Sequence, residues 1–320
     1  MFQKHFFQKL EQSSIGQPPL SQVIARLLNV NRNTAYRKIR GEVGLSLEEF
    51  AKLSAHFQVD LNELVYNVSQ DNVLFSSPEK ISSFSDLENY FKRTIESLNV
   101  LTKDTKSELY YSSRDLSLFF YFRYKHLAAF KLGLWLREQQ SDVFDQNFPE
   151  LPENLLALSK ELGELYLKLP TIELWTRRTL ANTLEQINYY VSAGFINEKR
   201  GFDVLDDLEQ VIRDRHERAF KRYKSPDLIK GDLYWCDFIM LPNAALAVSG
   251  SGNKAFVAVS GIRFMECIDQ SFCRDLHHSF QKHIEMGKLI SGASEKDRNT
   301  FFNILYQEIE KCRSQLYQII

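Results

Sequence analysis

The sequence predicts a mainly α-helical protein, with an N-terminal five-helix domain and a larger helical C-terminal domain that contains a small antiparallel β-sheet. Two observations favour this class. Glycine and proline are scarce, at 13 and 8 of 320 residues, which argues against an all-β sandwich. Apolar residues follow helical spacing over most of the chain, and short β-prone segments appear only after Pro226. The predicted divisions are an N-terminal domain at 1–67, a linker at 68–86, a helical region at 87–225 and an α+β part at 226–320.

Capping signals open the last two helices of the N-terminal domain. Ser46 and Glu49 form an S-x-x-E capping box, and Asp60 with Glu63 repeats the pattern in acidic form. Each box satisfies backbone N–H groups at a helix start that would otherwise lack a partner. The serine-rich stretch that follows has no sustained periodicity, which indicates the linker.

Helical spacing continues through the central region, and strands follow it. Helices are predicted at 86–101, 113–139, 153–168, 173–193 and 202–223. Beyond them, "DLYWCDFIML", "AALAVSG", "KAFVAVSG" and "RFMECI" are short and β-prone, and "SGSGNK" predicts a hairpin turn between the second and third. Two further helices are predicted at 272–290 and 295–318.

Composition and charge exclude several classes of protein. Four cysteines in 320 residues are too few for a disulfide scaffold, which favours a reducing cytoplasm. The most apolar segment, "LSLFFYFRYKHLAAFKLGLWL", is interrupted by Arg123, Lys125, His126 and Lys131, so no membrane span is expected. The N-terminus lacks the apolar run of a signal peptide. We therefore expect a cytoplasmic protein without a membrane partner.

The segment "RLLNVNRNTAYRKIR", from Arg26 to Arg40, carries five cations and no acid, although the whole chain has a net charge of −1. Ile24 and Ala35 lie on apolar stripes of two short helices, and Val30-Asn31 leaves room only for a tight turn between them. That arrangement predicts a helix-turn-helix. The second helix then directs seven side chains outward: Arg32, Asn33, Thr34, Tyr36, Arg37, Lys38 and Arg40. Such side chains suit contacts with phosphates and base edges.

Residues 20–66 resemble a Cro/repressor-type (xenobiotic-response-element) helix-turn-helix domain. The resemblance is carried by Ala25, by Asn29-Val30 at the turn, by the "NRNT" opening and by Gly41 at the end of the second helix. Departures are Asn29 where the family usually has Gly, Ser21 where Gln often stands, and Lys38 where an apolar residue is common. The resemblance implies that the base-reading residues are Arg32, Asn33, Thr34, Tyr36 and Arg37. It implies that the DNA-backbone contacts are Ser21, Gln22, Lys38 and Arg40.

The function expected from this resemblance is that of a transcription regulator that binds double-stranded DNA at specific sequences. Two alternatives stay open: a protein-interaction module that uses the same scaffold without DNA binding, and a metal- or thiol-dependent C-terminal domain tethered to DNA. The second alternative depends on Cys267, Cys273, His277, His278 and His283, which lie close in sequence but contain no C-x-x-C motif. No catalytic set stands out, so neither an enzyme, nor a metal site, nor a cofactor is expected.

The larger domain is expected to dimerise the protein and to sense a signal. Its last helix carries apolar residues spaced by three and four, which predicts a homodimer seam: Phe302, Leu305, Ile309, Cys312 and Leu316. The alternative is that this stripe packs within its own domain. An unidentified effector or protein partner is expected, with an aromatic-rich group as its candidate pocket or simply as core: Phe119, Phe122, Tyr124, Phe130, Trp135, Tyr189 and Tyr190.

Overall fold

The structure is a computed structural model that describes residues 2–13, 18–57, 59, 73–138, 148–223, 229–238, 240–292 and 295–319. The chain divides into two compact units, Met1–Leu74 and Phe75–Ile320. We call them the N-terminal unit and the C-terminal unit.

The described part of the N-terminal unit consists of helices around a small core. They are α1 (Phe2–Ser13), α2 (Leu20–Leu28), α3 (Arg32–Arg40) and α4 (Leu47–Phe57). The core contains the following buried side chains: Phe6, Phe7, Leu10, Ile24, Ala35 and Leu53. The predicted fifth helix and its cap at Asp60 and Glu63 lie outside the described residues.

The C-terminal unit combines helices with a seven-stranded sheet. Its helices are α5 (Phe84–Lys103), α6 (Leu118–Tyr121), α7 (Lys125–Glu138), α8 (Glu153–Leu167), α9 (Ala181–Ser192), α10 (Glu198–Lys221), α11 (Gln270–Met286) and α12 (Glu295–Ile319). Its strands are β1 (Glu108–Ser112), β2 (Thr171–Trp175), β3 (Gly231–Trp235), β4 (Ala244–Val248), β5 (Lys254–Ser260), β6 (Arg263–Cys267) and β7 (Lys288–Leu289). The strand order is β6-β5-β4-β1-β2-β3-β7.

The sheet is mixed, so the predicted mainly α class with a small antiparallel sheet is wrong: the C-terminal unit is an α/β fold. β1, β2 and β3 are parallel neighbours, and β4 to β6 extend the sheet antiparallel on the other side of β1. The sequence patterns identified β3 to β6 but missed the two-residue β7, which lies within the helix predicted at 272–290, and the longer strands β1 and β2. Both longer strands are five residues long and almost wholly buried, yet they include Glu108 and Glu173, so neither gives the run of apolar residues that marks a buried strand.

The sheet also joins the two predicted parts of the C-terminal region. β1 and β2 come from 87–225, which was predicted to be helical throughout, whereas β3 to β7 come from 226–320. Parallel pairing requires long crossovers, and α6 to α8 and then α9 to α10 supply them. Most helices cover one face of the sheet, and α11 covers the other through Cys273, Leu276 and Phe280.

The apolar stripe of α12 belongs to this core. All five predicted seam residues, Phe302, Leu305, Ile309, Cys312 and Leu316, are at most 2% exposed and pack in the cluster that includes α9 and α10. The predicted dimer seam on α12 is therefore corrected to an intramolecular contact. The error has a physical reason: a heptad-like stripe is the same whether it faces a second chain or the helices of its own domain.

The aromatic group considered as an effector pocket is mostly core as well. Phe122 and Phe130 are buried, and Phe119, Tyr124, Trp135 and Tyr190 pack against buried clusters, whereas Tyr189 is 61% exposed. Among the described helices, none is both long enough and apolar enough to cross a membrane.

Candidate nucleic-acid interface

The turn between α2 and α3 is tight, as the sequence predicted. Asn29 ends α2 in the left-handed conformation at φ 54°, and the Val30 N–H donates to the Ala25 carbonyl at 3.0 Å. Asn is one of the few non-glycine residues that adopt this conformation readily, so it replaces the Gly expected at this position. The chain is thereby redirected within three residues from α2 into α3.

Helix α3 begins and ends where its capping residues predicted. The Asn31 side chain accepts a hydrogen bond from the Thr34 N–H at 2.8 Å, and Gly41 ends the helix at φ 79°. Ala35 is fully buried against the core, with Ile39 half-buried beside it. Because Ala35 and Lys38 are the buried residues of α3, most of its circumference stays available.

The available face of α3 is basic and polar. Arg32, Asn33, Tyr36, Arg37 and Arg40 are exposed, and Thr34 is half-buried beside its cap. Asn33, Arg37 and Arg40 follow one another at spacings of four and three, so they project from the same side of the helix. Neither α2 nor α3 contains an acidic residue.

Arg32 is held in place by α2. Its Nη2 donates to the Gln22 side-chain oxygen at 2.9 Å, and both side chains are solvent-exposed. A guanidinium has five N–H donors in a fixed planar arrangement, so this bond orients the group and leaves other donors available. The pair brings a residue predicted to read bases next to one predicted to contact the DNA backbone.

Lys38 does not belong to the exposed face, which corrects its predicted role as a backbone contact. The residue is 6% exposed, and its Nζ donates to the Gly44 carbonyl at 2.9 Å and to Glu49 Oε2 at 2.8 Å. Ser21, also predicted to contact the backbone, is only 5% exposed. The apolar preference at the position of Lys38 in the resembled family fits this burial: here a lysine occupies an inward position and is paired there.

Glu49 links Lys38 to the capping box of α4, which the structure confirms. The Ser46 N–H donates to Glu49 Oε2 at 2.8 Å, and the Glu49 N–H donates to Ser46 Oγ at 3.2 Å. Burial raises the pKa of Glu49, but the hydrogen bonds from Lys38 and Ser46 together with the charge of Lys38 outweigh it, so the pKa is lowered overall. One carboxylate thus caps α4 and binds it to α3.

Gln3 makes a contact that the sequence did not reveal. Its side-chain amide on α1 donates to the carbonyls of Lys38 and Val43, both at 2.7 Å, and its oxygen accepts the Leu45 N–H at 3.0 Å. The backbone that follows α3 is therefore satisfied by a residue about 40 positions earlier. No local pattern signals such a partner, because only the packing of α1 on α3 brings the two together.

A second polar cluster lies inside the C-terminal unit. Lys131 is 1% exposed, and its Nζ donates to Asp115 at 3.0 Å, to Thr183 at 3.0 Å and to Gln186 at 2.9 Å. Burial raises the pKa of Asp115, but Lys131, Tyr121 and Thr183 outweigh it and lower the pKa overall. An ammonium group has three donors, and all three are used here, so the cluster joins elements rather than offering a site.

A cleft of about 380 Å³ lies where α7, α8 and α10 begin. Arg200 lines it, with its guanidinium carbon 4.7 Å from the centre of the Phe148 ring. Burial lowers the pKa of Arg200, with Glu150 opposing this. Within the described part of the chain, no acid lies within 4.0 Å of this guanidinium, but the acids Glu150, Glu153 and Asp203 line the same cleft.

The cysteine–histidine segment is engaged in packing. Cys273 is buried and its Sγ lies 3.7 Å from the Cys267 carbonyl, and burial raises the pKa of Cys273 to about 11. Both ring nitrogens of His283 have partners, the Ser279 carbonyl at 2.7 Å and the Met240 N–H at 3.1 Å. In the described ranges, no three His, Cys, Asp or Glu side chains are grouped as metal ligands would be. A thiol with a raised pKa stays protonated near neutral pH and is a poor nucleophile.

No protein-family model, curated protein or solved structure matches the chain. The interface is therefore defined by its own residues: the exposed face of α3, the Gln22–Arg32 pair and the turn at Asn29.

Proposed function

We propose that the protein is a sequence-specific DNA-binding transcription regulator in which α3 is the recognition helix. The observation that carries the proposal is an acid-free helix, joined to α2 by a three-residue turn, with exposed Arg32, Asn33, Tyr36, Arg37 and Arg40. Arg can bind guanine edges or phosphates, and Asn can bind adenine in the major groove. The start of such a helix enters the groove first, which assigns Arg32 and Asn33 to base contacts.

The test is selection of bound fragments from random double-stranded DNA, followed by affinity measurements against salt. An enriched motif and a steep negative salt slope are expected, because cations of the protein displace counterions from DNA. A base-contacting Arg→Ala is expected to cost roughly 1–3 kcal/mol and to relax specificity at one position. Sequence-selective binding that survives simultaneous Arg32→Ala, Asn33→Ala and Arg37→Ala would falsify the assignment of α3.

The protein-interaction alternative gives a different result in the same experiment. A module that docks a protein through this scaffold has no reason to enrich a DNA sequence, in buffer or in cell extract. Repeating the selection in extract separates the two readings, since an effector supplied by the extract restores DNA selection only for a regulator.

The C-terminal unit is proposed to sense a small ligand in the cleft at Arg200. The Arg200 guanidinium is partly buried with no acid within 4.0 Å among the described residues, and a ligand's anionic group would pair with it beside the cleft acids Glu150, Glu153 and Asp203. Such a ligand is expected to raise the Tm of the wild type and not of Arg200→Met, with a stabilisation that grows as the logarithm of one plus its concentration over Kd. Dimerisation stays a prediction without an assigned interface, because the α12 stripe is core.

A further inference from the structure

Among the described residues, the acid that touches the exposed cations of α3 follows the end of that helix. In the described part of the N-terminal unit, Glu42 pairs with Arg37 (Oε2 to Nε, 3.4 Å) and with Arg40 (Oε1 to Nη1, 3.9 Å). All three side chains are exposed, at 48% for Glu42, 60% for Arg37 and 72% for Arg40. These two arginines are the cations of the last turn that face solvent.

Backbone hydrogen bonds hold Glu42 at this position. After Gly41 turns the chain at φ 79°, the Glu42 N–H donates to the Arg37 carbonyl at 2.9 Å and the Val43 N–H approaches the same carbonyl at 3.4 Å. This is the closing geometry of a helix C-terminus, which fixes the residue after Gly41 against the last turn. Its carboxylate therefore stays within reach of both guanidinium groups.

The stability of α3 does not account for an acid at this position. The C-terminus of a helix carries partial negative charge, so a carboxylate there is unfavourable, and cations are favoured. Exposed ion pairs contribute little and are screened by salt. The two contacts roughly offset the unfavourable position, which leaves the effect of Glu42 on Arg37 and Arg40 as its main consequence.

We propose that Glu42 is an intramolecular competitor for the anionic ligand of the recognition helix: its carboxylate occupies Arg37 and Arg40 in the free protein and must be displaced by DNA phosphate. The proposal rests on the proposed DNA-binding function. Glu42 thereby lowers the affinity for polyanions in general, and this attenuation weakens as salt screens the pairs. Glu42 acts through the arginines and is a regulating residue, not a contact to DNA.

Glu42→Gln removes the charge and keeps the shape, and Glu48→Gln is the matched control. Glu48 is an exposed acid on α4 of the same unit, with no cation within 4.0 Å among the described residues. Both variants change the net charge by one, and neither acid is buried, so both proteins are expected to fold. Affinity for the selected DNA and retention on heparin are measured at several salt concentrations.

Glu42→Gln is expected to strengthen DNA binding roughly three- to tenfold at low salt, the size expected for charges about 4 Å apart in water. The gain should shrink at high salt and should disappear in an Arg37→Gln/Arg40→Gln background. Glu48→Gln should give a clearly smaller change. Equal gains from both variants, or a gain that persists without the two arginines, would mean that only net charge matters and would overturn the proposal.

Retention on heparin distinguishes a failure of this proposal from a failure of the proposed DNA-binding function. If the wild type selects no DNA sequence but Glu42→Gln alone elutes from heparin at higher salt, the competitor stands and the DNA-binding function fails. If DNA is selected but Glu42→Gln changes neither measurement, the function stands and the competitor is rejected.

Discussion

Each unit of the protein buries a lysine against a carboxylate, but the two lysines are held differently. Lys131 of the C-terminal unit lies in the core, and its ammonium group donates hydrogen bonds to Asp115 in the loop after β1 and to Thr183 and Gln186 on α9. Lys38 of the N-terminal unit lies at the edge of a small core, where one acceptor is a backbone carbonyl and the other is Glu49, whose side chain is 24% exposed. Both members of the pair are more shielded in the large unit, where Asp115 is 14% exposed, than in the small unit, where Glu49 is 24% exposed.

The position of a lysine in a helix therefore does not show whether it faces solvent or pairs inside the protein. In the sequence, Lys38 looked like part of a basic DNA-facing surface and Lys131 like an interruption in an apolar segment. In the structure each joins neighbouring elements, and the surface cations of the recognition helix are arginines. The energetic consequence should differ between the two pairs, because the cost of an unpaired charge rises with burial.

The largest effect is expected for Lys131→Met. It leaves the carboxylate of Asp115 without its cation inside the core, which typically costs about 3–5 kcal/mol of unfolding free energy. All three tryptophans lie in the C-terminal unit, so their fluorescence in a urea titration reports on this unit. Lys125→Met is the control on the same helix: its pair with Glu153 is exposed and should contribute less than about 1 kcal/mol. Similar losses from both variants would contradict the assignment of a buried network.

A smaller effect, about 1–3 kcal/mol, is expected for Lys38→Met, since the bonds that it breaks involve a charged donor in a partly exposed setting. Amide hydrogen exchange of α3 measures it. The salt slope of DNA binding should not change, because Lys38 is buried. Arg40→Gln should do the reverse, reducing the slope by about one and leaving exchange unaltered. If Lys38→Met lowered the slope, Lys38 would be a phosphate contact and the comparison would fail.

The next largest effect on stability is expected for the N-terminal cap of α3. Asn31→Ala removes the acceptor of the Thr34 N–H and should cost about 1 kcal/mol. Faster exchange at the first turn of α3 is the readout. Asn33→Ala, one exposed asparagine further on, should leave exchange unchanged and affect only DNA binding. Equal amide-exchange protection of α3 in the two variants would show that the Asn31 cap does not stabilise this helix.

The smallest effect is the pH dependence of the Glu49 pair. The folded-state pKa lies below the ordinary value of 4.5, so the stabilisation is complete above about that pH and is lost as the pH falls through the lower folded-state pKa. Because Glu49 is partly exposed, we expect less than about 1 kcal/mol. Exchange of α4 followed between pH 6 and pH 3 should show the loss in the wild type, and Glu49→Gln should flatten the profile. A profile that is unchanged by the substitution would remove Glu49 as its origin.

The features that could be predicted from the sequence alone are those that depend on neighbouring residues. The turn between α2 and α3, the caps at Asn31 and Ser46, the end of α3 at Gly41 and strands β3 to β6 all follow from local backbone preferences and short-range hydrogen bonds. The exposed arginines of α3 follow too, because helical periodicity places them opposite Ala35.

The features that could not be predicted from the sequence are those that depend on contacts between distant segments. Strands β1 and β2 are short and carry buried polar residues such as Glu173, so no apolar run marks them, and they become strands because each pairs with segments far along the chain. The stripe of α12 became core because α9 and α10 cover it. Lys38 turned inward because Glu49 and Gly44 meet it there, and Gln3 bonds residues about 40 positions away. Each of these outcomes is set by contacts between segments that a sequence pattern reads separately.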